Sequence, residues 1–209
     1  MRETKKGMLL VISGPSGTGK GTLVDRLLKE DPSFVFSVSC TTRAPRSNEI
    51  PDVHYHFITE DAFEKKVQED AFLEYATVHD HRYGTLRSEV YEKMDQGLNV
   101  VLDIDPQGAR HVMEREPSCV SVFVLPPSYE ELYRRLHTRN TEKEEEIAKR
   151  MRNARGEIAQ KHLYQYLLVN DTVEASMEIL RAITRAEKQR AIRYFPEISE
   201  EEETNHVDC

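Results

Sequence analysis

The run Gly14-Pro15-Ser16-Gly17-Thr18-Gly19-Lys20 constrains this chain more than any other stretch. It has G-x-x-x-x-G-K spacing, follows the apolar run Met8 to Ser13, and opens a helical pattern over Lys20 to Lys29. Glycines allow the backbone to turn tightly enough to aim successive N–H groups at one anion. The helix N-terminus adds a partial positive charge and Lys20 a full one. A triphosphate is the natural occupant, with Gly21 and Thr22 completing its surroundings; an ordinary Gly-rich turn is the plainer alternative. Gly21 stands where such loops commonly carry Ser or Thr, and Thr22 lies about 100° further round the helix. Mg2+ is therefore expected to be held by phosphates and waters rather than by a loop hydroxyl.

A strand, phosphate loop and helix need a sheet around them, and the pattern predicts one. Apolar runs at Met8 to Ser13, Phe34 to Ser39, Leu98 to Ile104, Val120 to Leu125 and Tyr166 to Val169 suit strands covered on both faces. Helical segments alternate with them: Lys20 to Lys29, Leu86 to Gln96 ending at Gly97, and Thr172 to about Ile192. Ser128 with Glu131, and Thr141 with Glu144, have capping-box spacing. The expected fold class is α/β with a mostly parallel sheet. Residues 40 to 90 break the alternation: HYHFIT and FLEYATVH are short strand-like runs around a helical segment, Asp61 to Glu69, and read as a small inserted lobe.

Composition bounds the partners. The 209 residues carry 29 Lys and Arg against 37 Asp and Glu, a formal charge of −8 that argues against bulk nucleic-acid binding. Six acidic residues lie beyond Phe195 with no Lys or Arg, so 196–209 is expected to be a solvated, disordered tail. No apolar run approaches the roughly 18 residues of a membrane span, and the N-terminus does not read as a secretory signal. Three widely spaced cysteines, Cys40, Cys119 and Cys209, suit neither a disulfide framework nor a zinc site, and point to a reducing cytoplasm.

Three further clusters carry chemistry. Leu102-Asp103-Ile104-Asp105 ends an apolar strand, where ligand crevices of open α/β sheets lie. Asp103 and Asp105 could reach a metal through water; a helix N-cap before Pro106 is the equal alternative for an Asp there. Ser37 to Arg46 packs hydroxyls with Arg43 and Arg46, and Pro45 keeps Ala44 out of helix. Two guanidinium groups about 4 Å apart would repel by ~4 kcal/mol at an effective dielectric of 20 unless an anion lies between them. Arg134, Arg135, Arg139 and Arg150 form a basic stretch. In one straight helix Arg139 and Arg150 would sit about 16 Å apart, so a break is expected near Asn140 and Thr141.

GPSGTGK, SCTTRAPR, Tyr83-Gly84-Thr85 and LDIDPQG, in this order and spacing, resemble guanylate kinase over roughly residues 7 to 192. The resemblance implies a P-loop three-layer α/β/α fold with a mostly parallel sheet (7–39, 97–134, 160–192), an inserted GMP-binding lobe (about 40–96) and a helical lid (about 135–159). It implies transfer of the γ-phosphoryl group of ATP to GMP, and to dGMP. By the same likeness Ser39, Arg43, Arg46, Tyr55, Glu74, Tyr83, Thr85 and Asp105 hold GMP, with Arg43, Arg46, Tyr55 and Tyr83 on its phosphate and Ser39, Glu74 and Thr85 on its base. Lys20, Arg43, Arg139 and Arg150 would be catalytic, and Arg135 and Asn170 would contact ATP.

The base reading agrees with hydrogen-bond chemistry. Guanine offers N1–H and an amine as adjacent donors, which suit one carboxylate, and an O6 acceptor that suits a hydroxyl. Glu74 and Thr85 have these characters; adenine would mismatch both. A related domain can instead serve as a catalytically inactive binding module, or a kinase can use another acceptor. Lys20, Arg139 and Arg150 argue against the first, and Glu74 with Thr85 against the second.

Overall fold

Every residue of the apolar run before the phosphate loop is buried, because that run is the middle strand of a sheet with helices on both faces. A computed structural model describes residues 3–46, 49–78, 80–138 and 144–196. In chain order the strands are β1 (Glu3–Lys5), β2 (Leu9–Ser13), β3 (Phe34–Phe36), β4 (Ser39–Thr41), β5 (Tyr55–Phe57), β6 (Phe72–Val78), β7 (His81–Leu86), β8 (Asn99–Asp103), β9 (Val120–Leu125), β10 (Tyr166–Val169) and β11 (Tyr194–Pro196). The helices are α1 (Lys20–Glu30), α2 (Glu60–Gln68), α3 (Arg87–Asp95), α4 (Pro106–Arg115), α5 (Tyr129–Thr138), α6 (Glu144–Ala159) and α7 (Val173–Lys188).

Five strands pair in parallel in the order β10-β9-β2-β8-β3. Strand periodicity divides β2 between two cores. Leu10 and Ile12 pack with Leu23 and Leu27 of α1 and Met177 and Leu180 of α7. Leu9 and Val11 face the other way, onto Val90 and Met94 of α3 and Ala109 and Val112 of α4. The result is a three-layer α/β/α arrangement that sets the ends of β2 and β8 beside the phosphate loop.

A second sheet of four strands, β5-β4-β7-β6, carries its own small core, in which Cys40, Phe63 and Phe72 are buried. The rings of Phe63 and Phe72 lie 4.5 Å apart. Helices α5 and α6 pack through Leu132 and Leu136 against Ile147 and Ala154. The chain therefore does run through two helices between Arg135 and Arg150. The proposed break at Asn140 and Thr141 lies outside the described residues, as do Arg139, the Thr141 half of a capping box and the acidic tail.

Several boundaries differ from the sequence expectation for identifiable reasons. The run Phe34 to Ser39 is divided: β3 ends at Phe36, the Ser37 amide still donates to Val101 O at 3.2 Å, and β4 starts a different sheet. The helix expected from Leu86 begins at Arg87 because Leu86 completes β7; Gly97 follows with φ +79°. The last helix stops at Lys188 rather than near Ile192. Beyond it the Arg193 guanidinium turns back, bonding the Glu187 side chain at 2.8 Å and carbonyl at 3.2 Å, and also Ser118 O. The Ser128 cap forms as expected, its hydroxyl accepting from Glu131 N at 3.0 Å.

Candidate active site

Between β2 and α1 the backbone takes conformations that favour glycine: Gly14, Gly17 and Gly19 have φ of 139°, 90° and 88°. At Gly19 space forbids a side chain as well, since a Cβ would sit 2.4 Å from Asn170 Nδ2. Gly19 caps α1 without a side-chain bond, and the first turn of α1 has no acidic residue. Its amides are thus presented to an anion with no competing charge. Lys20 Nζ donates to Gly14 O at 2.7 Å and Pro15 O at 3.1 Å, so the ammonium folds back over the loop. Pro15 O also accepts from the buried Thr18 hydroxyl at 2.9 Å. Ser16, Gly21 and Thr22 are exposed at the loop and the first turn.

Asn170 follows β10 and lies beside the phosphate loop. Its side chain is buried, donates Nδ2–H to Thr18 O at 2.7 Å and accepts from Ser176 Oγ at 2.8 Å. Through those bonds Asn170 braces the phosphate loop. Arg135 lies close by, with Nε on Glu131 Oε1 at 2.7 Å and Nη2 on Asp171 O at 3.3 Å. From α6, Arg150 Nη1 reaches Ser16 Oγ at 3.4 Å. Arg150 thus reaches the phosphate loop itself, whereas Arg135 lies on the loop after β10.

Asp103 and Asp105 separate into two roles. Asp103 ends β8 opposite Ile12, and its Oδ2 is 3.7 Å from where a Cβ on Gly21 would be. Burial pushes its pKa up, while Lys20 pulls it down and Asp25 adds to the rise. Asp105 is the N-cap of α4: its Oδ1 accepts from Gln107 N at 2.8 Å and Gly108 N at 3.3 Å. The capping alternative is therefore realised for Asp105, and one of its oxygens is spent on the helix. Among the described residues no three or more His, Cys, Asp or Glu side chains converge to hold a metal ion. Asp103, at the end of β8 and beside Gly21, is the carboxylate whose place fits a metal accompanying phosphates at this loop.

Strand periodicity builds the second half of the site. Ser39 pairs with Tyr55, Cys40 with Gly84, and Glu74 with Thr85, so Tyr55, Ser39, Thr85 and Glu74 form one row across four strands. Phe57, Thr41 and Tyr83 make the next row on the same face. In the first row the Thr85 hydroxyl donates to Glu74 Oε1 at 2.6 Å and lies 3.4 Å from Ser39 Oγ. Glu74 and Thr85 are buried. Burial, with the nearby charge of Asp105, pushes the Glu74 carboxyl up to about 7 against the pull of Thr85. A Cβ on Gly108 would lie 2.5 Å from Glu74 Oε2 and 3.6 Å from Asp105 Oδ2, so both carboxylates meet at the start of α4. A cleft of about 450 Å³ lined by Glu74, Ala76, Gln107 and His111 adjoins this point.

Beside that row sits the arginine cluster. Arg43 Nε donates to Tyr83 OH at 3.2 Å, and its guanidinium lies 5.5 Å from the ring centre of Tyr55. The Arg43 guanidinium already has an anion from within the chain. Glu49 takes Arg43 Nη1 and Nη2 at 2.9 and 2.8 Å, and also accepts the Arg46 amide at 2.8 Å. The sequence argument looked for that anion outside the chain and missed Glu49. It also missed Glu157 on α6, whose carboxyl is raised by burial and feels the charges of Lys20 and Asp105. Cys40 is a buried thiol pushed up to about 11 by burial, which makes it a packing residue rather than a reactive one.

A phosphate loop therefore faces a separate sheet that carries a buried carboxylate–hydroxyl pair and an arginine–tyrosine cluster. The guanylate kinase family model matches residues 6–187. This chain belongs to the guanylate kinase family. A guanylate kinase of Caldanaerobacter subterraneus subsp. tengcongensis is 47% identical over 189 residues, covering 90% of this chain and 92% of that protein. One from Clostridium acetobutylicum is 46% identical, covering 96% and 95%. The crystal structure of guanylate kinase from Anaplasma phagocytophilum superposes with a TM-score of 0.76 at 32% identity, covering 92% of each chain. No described helix is long and apolar enough to cross a membrane.

Proposed function

We infer that this protein transfers the γ-phosphoryl group of ATP to GMP, giving ADP and GDP. One observation carries the choice of acceptor: the buried Glu74 carboxylate bonded to Thr85, opposite the phosphate loop. Ionised, Glu74 accepts guanine N1–H and the exocyclic amine, while Ser39 or Thr85 donates to O6. Adenine would leave these buried groups unpaired, a mismatch worth roughly 10⁴-fold in rejection. These contacts read base and phosphate but no ribose hydroxyl, so dGMP is an acceptor too. Of the lobe expected over about 40–96, residues 40–86 would form the acceptor lobe, since α3 packs on the five-stranded sheet instead, and about 135–159 would form the lid.

Bond making and breaking are confined to the γ-phosphorus. An oxygen of the GMP phosphate bonds to it as its bond to the β–γ bridging oxygen breaks, and the electron pair leaves with ADP. The acceptor is already ionised, so no general base is required and none of the eight histidines has that task. The chain's work is placement and charge. The amides of Gly14 to Gly21 cradle the donor's phosphates, and Lys20 leaves its loop carbonyls for the β and γ oxygens. Arg43, Arg46, Tyr55 and Tyr83 hold the acceptor phosphate. Arg135 and Arg150, with Arg139, cover the transferring group and exclude water. Mg2+ accompanying ATP would supply charge neutralisation, with Asp103 the side chain that would help hold it. Two buried reduced cysteines suit a cytoplasmic protein.

A coupled assay of ADP release offering GMP, dGMP, AMP and UMP in turn tests the reading. Turnover of GMP and dGMP is expected; preference for AMP, or no turnover of any acceptor, refutes it.

A further inference from the structure

A guanidinium has five N–H groups on two usable edges: the end edge formed by Nη1 and Nη2, and the side edge formed by Nε and Nη2. In Arg43 the end edge is filled. Nη1 donates to Glu49 Oε2 and to Ala44 O at 2.9 and 2.7 Å, and Nη2 donates to Glu49 Oε1 at 2.8 Å. Glu49 is itself fixed. Its Oε2 takes the Arg46 amide at 2.8 Å, its own amide donates to Arg46 O at 3.0 Å, and its side chain is only 10% exposed. On the side edge, Nε donates to the Tyr83 hydroxyl. That hydroxyl therefore keeps its own proton to give, and the second Nη2 hydrogen projects on the same side. Two donors stand next to each other on the face that carries Tyr55, Ser39 and Thr85.

We propose that Glu49 is a positioning residue for phosphoryl transfer: it grips the end edge of Arg43 so that the side edge, with the Tyr83 hydroxyl, meets the phosphate of the acceptor nucleotide. It rests on the reading of GMP as acceptor. A bidentate carboxylate fixes both the plane and the rotation of a guanidinium, which a single bond cannot do. Without it Arg43 would swing its end edge into the site, and the Tyr83 hydroxyl would lose the partner that orients its proton. Glu49 touches no part of the base row, so its influence is confined to the phosphate.

The test compares binding of GMP and of guanosine, which shares the base row but has no phosphate, to the full chain and to Glu49→Ala and Glu49→Gln by titration calorimetry. The GMP dissociation constant is expected to rise about tenfold or more in Glu49→Ala, corresponding to at least about 1.4 kcal/mol. Glu49→Gln should weaken GMP too, because an amide cannot accept on both oxygens' positions. Guanosine binding should stay within about twofold in both. Unchanged GMP affinity overturns the proposal, as does equal weakening of both ligands, which would make Glu49 a structural member of the lobe. Tighter GMP binding also overturns it, since Glu49 would then be a competing anion. Failure of the unaltered chain to bind GMP refutes the acceptor assignment itself, and this proposal with it.

Discussion

Glu74 concentrates the chemistry of the acceptor pocket, because a buried carboxylate must serve as an anion there. Its carboxyl is pushed up to about 7, by burial first and with the charge of Asp105 adding to it. The folded chain thus keeps, up to near pH 7, a proton that the unfolded chain releases near 4.5, so this group's contribution to stability falls as pH rises between those values. Guanine has the opposite preference, since its two donors need the ionised form. Affinity should be flat above about pH 7 and fall toward tenfold per unit below it. Guanosine has no phosphate to titrate there, so its inhibition constant between pH 5.5 and 8.5, roughly one unit beyond the transition on each side, isolates Glu74. A flat profile would refute the assignment. Glu74→Gln should abolish the slope and weaken GMP about 10- to 100-fold, the worth of roughly 1.5–3 kcal/mol for charged hydrogen bonds. From sequence alone Glu74 could pass for an exposed charge on an edge strand; only the pairing with Thr85, 11 residues away, buries it. Glu49 was hidden for a related reason, since nothing in R-A-P-R-S-N-E declares that the carboxylate folds back six residues onto Arg43.

Elements whose partners are continuous apolar runs were legible, and those defined by distant pairing were not. Strands β2, β8 and β9 could be read because both faces of each are covered by helices, leaving Val, Ile and Leu in sequence, whereas β10, expected to be covered likewise, is an edge strand whose Leu167 and Val169 are about half exposed on one face. Strand β7 reads H-R-Y-G-T-L, with no alternation to betray it, and its Gly84 is required because a Cβ would lie 2.8 Å from the Phe72 ring. The pairing of β1 with β11 joins three residues at each end of the described chain and leaves no local trace. The phosphate loop was readable as a motif, but its brace was not: Asn170 acts from 152 residues away. Asn170→Ala removes the bonds to buried Thr18 and to Ser176, and should cost about 1–3 kcal/mol in urea denaturation. It should raise the KM for ATP several-fold while leaving the KM for GMP nearly unchanged. Equal effects on both substrates would show that the brace is not specific to the donor side.

The molecule as a whole divides its acceptor site between two sheets, which makes their alignment a functional quantity. Ser39, Thr85 and Glu74 belong to the four-stranded sheet, whereas Asp105 starts α4, which packs on the five-stranded one. Helix α4 spans the junction: Asp105 at its first turn faces Glu74, and Arg115 at its last donates to Phe72 O at 2.8 Å and Leu73 O at 3.3 Å. These carbonyls directly precede Glu74, at the irregularity in pairing between β6 and β7. A helix whose start lies against Glu74 and whose last turn is bonded to β6 sets how far Glu74 can stray from Asp105, so Arg115 should govern acceptor binding from outside the pocket. Arg115→Met keeps much of the aliphatic packing and removes the donors. The expected outcome is a several-fold rise in the KM for GMP, an unchanged KM for ATP, and faster amide exchange confined to residues 72–77. If ATP and GMP are affected alike, or if exchange quickens across the five-stranded sheet instead, Arg115 stabilises the core and the alignment of the two sheets is held elsewhere.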